Sequence, residues 1–221
     1  MDPSEPRTSP GMVQMMADLS LERDRLKDLV FDDVSFAYTQ PDGTKRTVLD
    51  HFSARFPDRL LTLISGPSGS GKTTLFRLAA GLIKPDSGTI TGFPEEGAGI
   101  LFQDDRLFPH LNVLQNLLLC APERTEEELR EMLSELEIAD VADQYPDTLS
   151  GGQSRRAAIL RAAAVDRPLY LLDEPFNGLD PETRDRTAAW LMNRLRGRTV
   201  LLITHVEAEG MEGEKLMLRT L

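Results

Sequence analysis

The chain has 221 residues, 40% hydrophobic and 28% charged, and a formal net charge of -11. That length suits one or two domains with a sizeable core, and that charge makes the chain a poor candidate for sequence-independent nucleic-acid binding, so no nucleic-acid partner is expected. The single cysteine, Cys120, excludes an internal disulfide and a cysteine-built metal cluster, fits a reduced, intracellular setting, and accompanies no apolar run near the roughly 18 residues of a bilayer span.

Residues 1–28 mix Pro, Ser and charges of both signs, so a frayed tail with at most a short helix is expected. The tail lacks the basic-then-apolar order of a secretory signal. Met12, Met15 and Met16 are alternative starts, and no function is assigned to the segment. Residues 29–38 alternate toward their end as a strand, Pro41-Asp42-Gly43 marks a turn, and residues 47–56 form a second strand. This pair is expected as an antiparallel hairpin beside the next strand.

That next strand is the apolar run at 60–64. A Gly-rich turn follows, then a helix over 72–82. Gly66, Gly71, Lys72 and Thr73 match G-x-x-x-x-G-K-S/T, a phosphate-cradling loop. Its members are Gly66, Pro67, Ser68, Gly69, Ser70, Gly71, Lys72, Thr73 and Thr74. Glycines let backbone N–H groups approach phosphate oxygens, and the helix N-terminus adds partial positive charge. Lys72 is placed to reach the β- and γ-phosphates of ATP, and the Thr73 hydroxyl to ligate Mg²⁺. An ordinary Gly-rich strand-to-helix turn is the alternative.

Short strands are expected at 89–93 and 99–102. From Gln103 the pattern turns helical, with an amphipathic block containing Leu107, Phe108, Leu111, Val113, Leu114 and Leu117. Thr125 and Glu128 form a capping box, followed by Leu129, Met132, Leu133 and Leu136 at helical spacing. Ser150 opens a further helix running to Val165. Residues 169–172 read as a buried strand ending in Asp173-Glu174, with a helix at 183–195 and strands at 199–204 and 215–219. The expected fold is α/β around a P-loop, with a helical insertion at about 104–165 and parallel crossover units. Ligands then sit at the carboxyl ends of the strands, and Gly66, Gln103, Asp173 and His205 each follow such an end.

Asp173 reads as the second metal-side carboxylate of a P-loop NTPase, and Glu174 as the group that polarises a water in line with the γ-phosphate. A charged pair ending a strand is the alternative. Ser150, Gly151, Gly152 and Gln153 combine a hydroxyl, bare amides and a helix start, a second anion-binding end, although a plain Ser cap explains them too. Two phosphate-binding ends with one set of metal ligands are reconciled by a head-to-tail dimer, each P-loop facing the partner's Ser150 end across one ATP.

LSGGQ some twenty residues before LLDEP, downstream of the P-loop, resembles the ATP-binding subunits of ABC transporters over about residues 29–218. The resemblance implies an ABC-type P-loop ATPase: a mixed sheet core, a helical subdomain insertion and an antiparallel β subdomain, with residues 29–221 as one ATPase domain. It implies that Tyr38 stacks on adenine and that Gln103 touches Mg²⁺ and senses the γ-phosphate. Ser150, Gly151, Gly152 and Gln153 become the signature, and Asp173 and Glu174 the Mg²⁺ carboxylate and catalytic glutamate. Gly178-Leu179-Asp180 becomes a loop crossing the dimer interface, and His205 the switch histidine. On their own residues, Tyr38 also reads as a strand-end aromatic, Gln103 as a surface loop residue and His205 as structural. Ser154 and Val206 depart from the family pattern, which often has Gln and an acidic residue there.

The resemblance further implies a peripheral subunit at the cytoplasmic face of the cell membrane, held there by transmembrane permease subunits and paired with a second ATPase subunit. Import is the expected direction, and FQDDRLFPHLNVLQNL looks most like importers of the nitrate, sulfonate and taurine group. The expected docking surface is the groove around residues 103–119, with Leu107, Phe108, Leu111 and Leu114 exposed. A non-transport soluble ABC ATPase is the first rival, then a small-molecule P-loop kinase, then a switch module without turnover. The Ser150 motif opposes the kinase and Glu174 the switch.

Overall fold

The computed structural model describes residues 28–205 and 213–218. The expectations for residues 1–27 and for Val206 lie outside them.

Strands β1 (Leu29–Thr39) and β2 (Lys45–Phe56) form an antiparallel hairpin. Asp42 closes its turn, the carboxylate accepting from the Thr44 amide at 2.9 Å and the Thr44 hydroxyl at 2.7 Å. β2 starts two residues earlier than expected, which places Arg46 opposite Tyr38 in the ladder. The hairpin does not lie beside the P-loop strand. β1 pairs on its other edge with β4 (Ser87–Thr91), giving a separate three-stranded sheet in the order β2-β1-β4. The physical reason is that both edges of the P-loop strand, β3 (Leu61–Ser65), are taken: β7 (Thr199–Ile203) pairs on one side and β8 (Glu214–Met217) on the other.

With β5 (Ala98–Leu101) and β6 (Leu169–Asp173) these strands form a parallel sheet in the order β5-β6-β7-β3-β8. β6 and β7 are buried at every position, as strands covered on both faces are. Helix α1 (Lys72–Ala79) joins the two sheets: Leu75, Phe76 and Leu78 share one core with Phe31 and Phe56 of the antiparallel sheet and Ile64 and Leu201 of the parallel one. One parallel and one antiparallel sheet, bridged by a helix, make up the mixed α/β fold expected.

A second core belongs to α2 (Val113–Cys120), α3 (Glu126–Glu135), two short 3₁₀ turns and one face of α4 (Gly151–Ala164). Residues 103–112 are loop rather than helix. Asn112 caps α2 in a box with Gln115, and the wholly buried Asn116 holds the loop from behind. Its carboxamide accepts from the Phe108 amide at 2.7 Å and donates to the Phe108 and Leu111 carbonyls. This also corrects the expected docking groove. Leu114 faces the helical core, Leu107 packs between two cores, and Phe108 alone of the four is exposed, at 48%.

The capping box of Thr125 and Glu128 forms as expected. α4 is buried on two sides: Ala157, Leu160 and Ala164 face the helical core, while Ala158, Ile159, Ala162 and Ala163 face the sheet. Helix α5 (Pro181–Arg194) begins two residues earlier than expected, because Asp180 caps it and Pro181 takes the first helical position.

Candidate functional site

The carboxyl ends of β3, β6 and β7 open onto a cleft of about 560 Å³ lined by Ser68, Gly69, Gly71, Lys72, Thr73 and Thr74 on one wall. The loop conformation requires glycine at two places. Gly66 has φ 153°, and a Cβ there would stand 2.5 Å from the Leu218 carbonyl. Gly71, the N-cap of α1, has φ 90°, and a Cβ would stand 3.0 Å from Val48 Cγ1. With glycine as cap, the first N–H groups of α1 have no side-chain acceptor, the arrangement that favours an anion. Lys72 folds back over the loop, its ammonium donating to the Gly66 carbonyl at 2.7 Å and the Pro67 carbonyl at 3.0 Å.

Across the cleft, the Thr73 hydroxyl faces Asp173 Oδ2 at 3.4 Å. Burial first, and the charge of neighbouring Glu174 second, push the Asp173 carboxyl above the usual carboxylate range, against the pull of Thr73, Arg155 and Lys72. Glu174 takes φ 49°, a left-handed backbone unusual for a non-glycine residue. Its amide donates to the Ile203 carbonyl at 2.8 Å, which swings its side chain out of the strand's alternation. Its carboxylate meets His205 twice, accepting from the His205 amide at 3.3 Å and standing 3.4 Å from Nε2.

Gln103, Asp173, Glu174 and His205 all line this cleft, as does Tyr38. The Tyr38 ring meets Phe36 edge-on at 4.9 Å, and its hydroxyl accepts from Arg77 at 3.0 Å, so the ring face is fixed from behind. Gly66, Pro67 and Ser70 support the loop without lining the cleft. Ser150, Gly151, Gly152 and Gln153 do not line it either. They form the N-terminus of α4, where the Gln153 side chain accepts from the Ser150 amide at 3.0 Å and the Ser150 hydroxyl from the Gln153 amide at 3.3 Å.

Sequence reasoning missed Gln40, Arg46, Val48 and Asn177, which also line the cleft. Arg46 was legible in principle: the Asp42–Thr44 turn fixes the hairpin register, and that register sets Arg46 opposite Tyr38.

The residues present fit a nucleotide with a divalent cation. The cleft lies within the range of about 300–1,000 Å³ typical of small-molecule sites. Among the described residues, no group of three or more His, Cys, Asp and Glu could hold a metal by itself. Thr73 and Asp173 supply two hard oxygens, so a cation here draws further ligands from phosphate and water, the habit of Mg²⁺. The raised Asp173 carboxyl points the same way, since a cation offsets the burial and the Glu174 repulsion that raise it.

Comparison with known proteins bears on this arrangement. Residues 49–177 match the family model described as ABC transporter. The chain is 39% identical over 201 residues to the sulfate/thiosulfate import ATP-binding protein CysA of Mycobacterium tuberculosis, covering 81% of this chain and 57% of that protein. It is 38% identical over 184 residues to the protein of the same name from Synechocystis, covering 75% and 52%. The chain thus spans about half the length of the curated relatives it matches. Its fold is similar to the dimeric structure of the bacterial ABC transporter cassette MJ0796, with TM-score 0.76, 26% identity and coverage of 86% and 94%. A post-hydrolysis dimer of that cassette, bound to ADP and Pi, gives TM-score 0.72 at 28% identity, with coverage of 80% and 88%.

Proposed function

The chain belongs to the ABC transporter family, and from that premise we propose that it is the ATP-hydrolysing, energy-coupling subunit of a membrane importer. The observation that carries this reading is the segregation of the two anion-binding ends. One cleft gathers the P-loop, the Thr73–Asp173 pair and the Glu174–His205 pair. The Ser150 end of α4 stands apart from it. A second copy, related by a two-fold axis, brings its own Ser150 end to the first copy's cleft.

In this reading ATP enters with its adenine on the Tyr38 ring. The bare amides of the P-loop hold the phosphates, and Lys72 leaves its loop carbonyls to neutralise the β/γ charge. Thr73, Asp173 and Gln103 hold Mg²⁺, which supplies charge stabilisation at the transferring phosphoryl group when bound. Glu174 orients a water and accepts its proton, and His205 keeps the Glu174 carboxylate turned into the cleft. Ser150, Gly151 and Gly152 of the partner copy complete the γ-phosphate shell, and the Gly178-Leu179-Asp180 loop crosses between copies.

Closure and reopening of the dimer drive transmembrane permease subunits, through which the chain attaches to the cytoplasmic face of the membrane. Among the described residues no helix is long and apolar enough to cross it. The import names of the relatives support the direction. Nucleic acid has no place in the reading.

The test is the Glu174→Gln variant. It spares Thr73 and Asp173 but removes the group that orients water. It should sediment as a dimer with ATP and Mg²⁺ and as a monomer without them. A variant that stays monomeric at saturating ATP, alone and mixed with a second ATPase of the same transporter, sinks the sandwich.

A further inference from the structure

We propose that Arg155 is a positioning residue that ties the chain's own cleft to the Ser150 end it presents to its partner, so that the two nucleotide sites of the dimer are mechanically linked inside each subunit. This inference rests on the dimeric ATPase reading above.

The side chain of Arg155 is 5% exposed and carries a charge that must be satisfied. Its guanidinium reaches two separate stretches of chain, 102–105 and 173–175. Nε donates to the Pro175 carbonyl at 2.9 Å. Nη1 donates to the Phe102 and Gln103 carbonyls, both at 3.1 Å, and to Asp105 Oδ1 at 3.0 Å. Nη2 donates to the Asp173 carbonyl at 3.0 Å and the Glu174 carbonyl at 2.6 Å. Every one of these acceptors lies just past the end of β5 or at the end of β6. The ladder between those strands stops at the pair Leu101 and Leu172. Beyond it, the carbonyls that would otherwise lack ladder partners turn to one arginine.

The consequence is positional. Gln103 and Glu174, which face the reacting end of the nucleotide, are held through their own main chain by a residue of α4. The fifth residue of α4 is Arg155, and its N-cap is Ser150. A displacement of that helix end by the partner's nucleotide therefore moves Gln103 and Glu174 in the same subunit. Asp105 locks the joint: its second oxygen accepts from the Ser154 hydroxyl at 2.6 Å, one residue before Arg155. Arg161, one and a half turns further along, holds the Asp105 and Arg106 carbonyls. A fixed planar fork is needed to serve three directions at once, which an ammonium or a carboxamide does not provide.

The experiment compares the full chain with Arg155→Gln, Arg155→Lys and Asp105→Asn. Three quantities are measured: affinity for a fluorescent ATP analogue, steady-state phosphate release against ATP concentration, and hydrogen–deuterium exchange of the nucleotide-free protein. Arg155→Gln should lower kcat by about 100-fold, the cost of a misplaced reacting group. Affinity for the analogue should stay within about twofold, because the P-loop is untouched. The Hill coefficient for ATP should fall to one. Exchange should rise in peptides spanning 173–177, where the Glu174 amide bonds the Ile203 carbonyl, and remain unchanged in α1. Arg155→Lys should not rescue kcat, and Asp105→Asn should show the same pattern at about a tenth of the size.

Should Arg155→Gln fail to fold, Arg155→Lys and Asp105→Asn decide. Wild-type kcat, Hill coefficient and local exchange in both overturn the proposal. So does faster exchange spread evenly over α1 and the strands, the mark of a general loss of stability. A wild-type chain that neither binds nor hydrolyses ATP overturns the parent reading, and this one with it. Wild-type turnover with unaffected variants overturns this inference alone.

Discussion

Two helix N-termini in this chain are built to opposite specifications. α1 begins at Gly71, whose left-handed backbone leaves the first amides without a side-chain acceptor. α4 begins at Ser150, whose hydroxyl and whose partner Gln153 satisfy each other's amides in a complete capping box. The first end is bare in the monomer and surrounded by ionisable groups. The second is self-satisfied, and its residues 150–153 do not line the cleft of the first. If α1 takes a phosphate and α4 meets a partner copy, as proposed, the two ends differ in when their ordering cost falls. The first is preorganised; the second exchanges one set of bonds for another.

Four substitutions break or sharpen that contrast. The largest effect belongs to Lys72→Ala, which removes the cation beside the bare end. It should lower kcat for phosphate release by about 100- to 1,000-fold, the usual size for losing one stabilising donor in a preorganised site. Activity near that of wild type ends the P-loop assignment. Next comes Ser150→Arg in the Glu174→Gln background. A bulky side chain at the self-capped end should abolish the ATP-dependent dimer in sedimentation velocity, while each monomer binds ATP as before. If monomer affinity also collapses, the two ends are not separate.

A matched pair of glycine substitutions follows. Gly71→Ala forces a Cβ onto a left-handed backbone, 3.0 Å from Val48. That strain is about 1–2 kcal/mol, so nucleotide affinity should fall about tenfold by titration. Gly151→Ala, at the first position of α4, has nothing within 4 Å of the new Cβ. It should leave the nucleotide affinity of the monomer unchanged and stabilise the fold slightly, by up to about 1 kcal/mol of helix propensity, seen as a small rise in melting temperature. Equal effects at both positions would erase the contrast.

The smallest effect concerns charge. Burial and Glu174 raise the folded-state pKa of Asp173 above its unfolded value, so the folded protein binds the extra proton. Stability from this group is greatest at low pH and falls as pH rises through the raised pKa. Asp173→Asn should therefore raise the melting temperature of the nucleotide-free protein at pH 8, with the gain shrinking toward pH 4. A gain independent of pH would assign the effect to something other than Asp173 ionisation.

Much of this site was legible because its signals are local. The run from β3 through the glycine loop into α1 is contiguous, as are Asp173-Glu174 at a strand end, the capping box at Thr125 and the helix start at Ser150. What escaped depends on pairings distant in sequence. The hairpin's true neighbour, β4, is set by Val30 meeting Thr91 and Phe31 meeting Ile90. The loop at 103–112 resembles a helix by apolar spacing, until the buried Asn116 is seen to hold it. Arg155 lies within the helix expected from Ser150 to Val165, and its acceptors, up to 53 residues away, are brought around it only by the fold. The start of α5 is different: Asp180-Pro181 is a local cap signal, and it was passed over in favour of the later Thr183.

The parked ammonium of Lys72 has a bearing on how a ligand would recruit it. Its two bonds, to the Gly66 and Pro67 carbonyls, must be traded away by any anion that recruits it. A polyphosphate chain engages the loop amides along their length while it draws the ammonium across. In the proposed ATPase, the two carbonyl bonds of Lys72 are what a phosphate chain replaces when it recruits the ammonium.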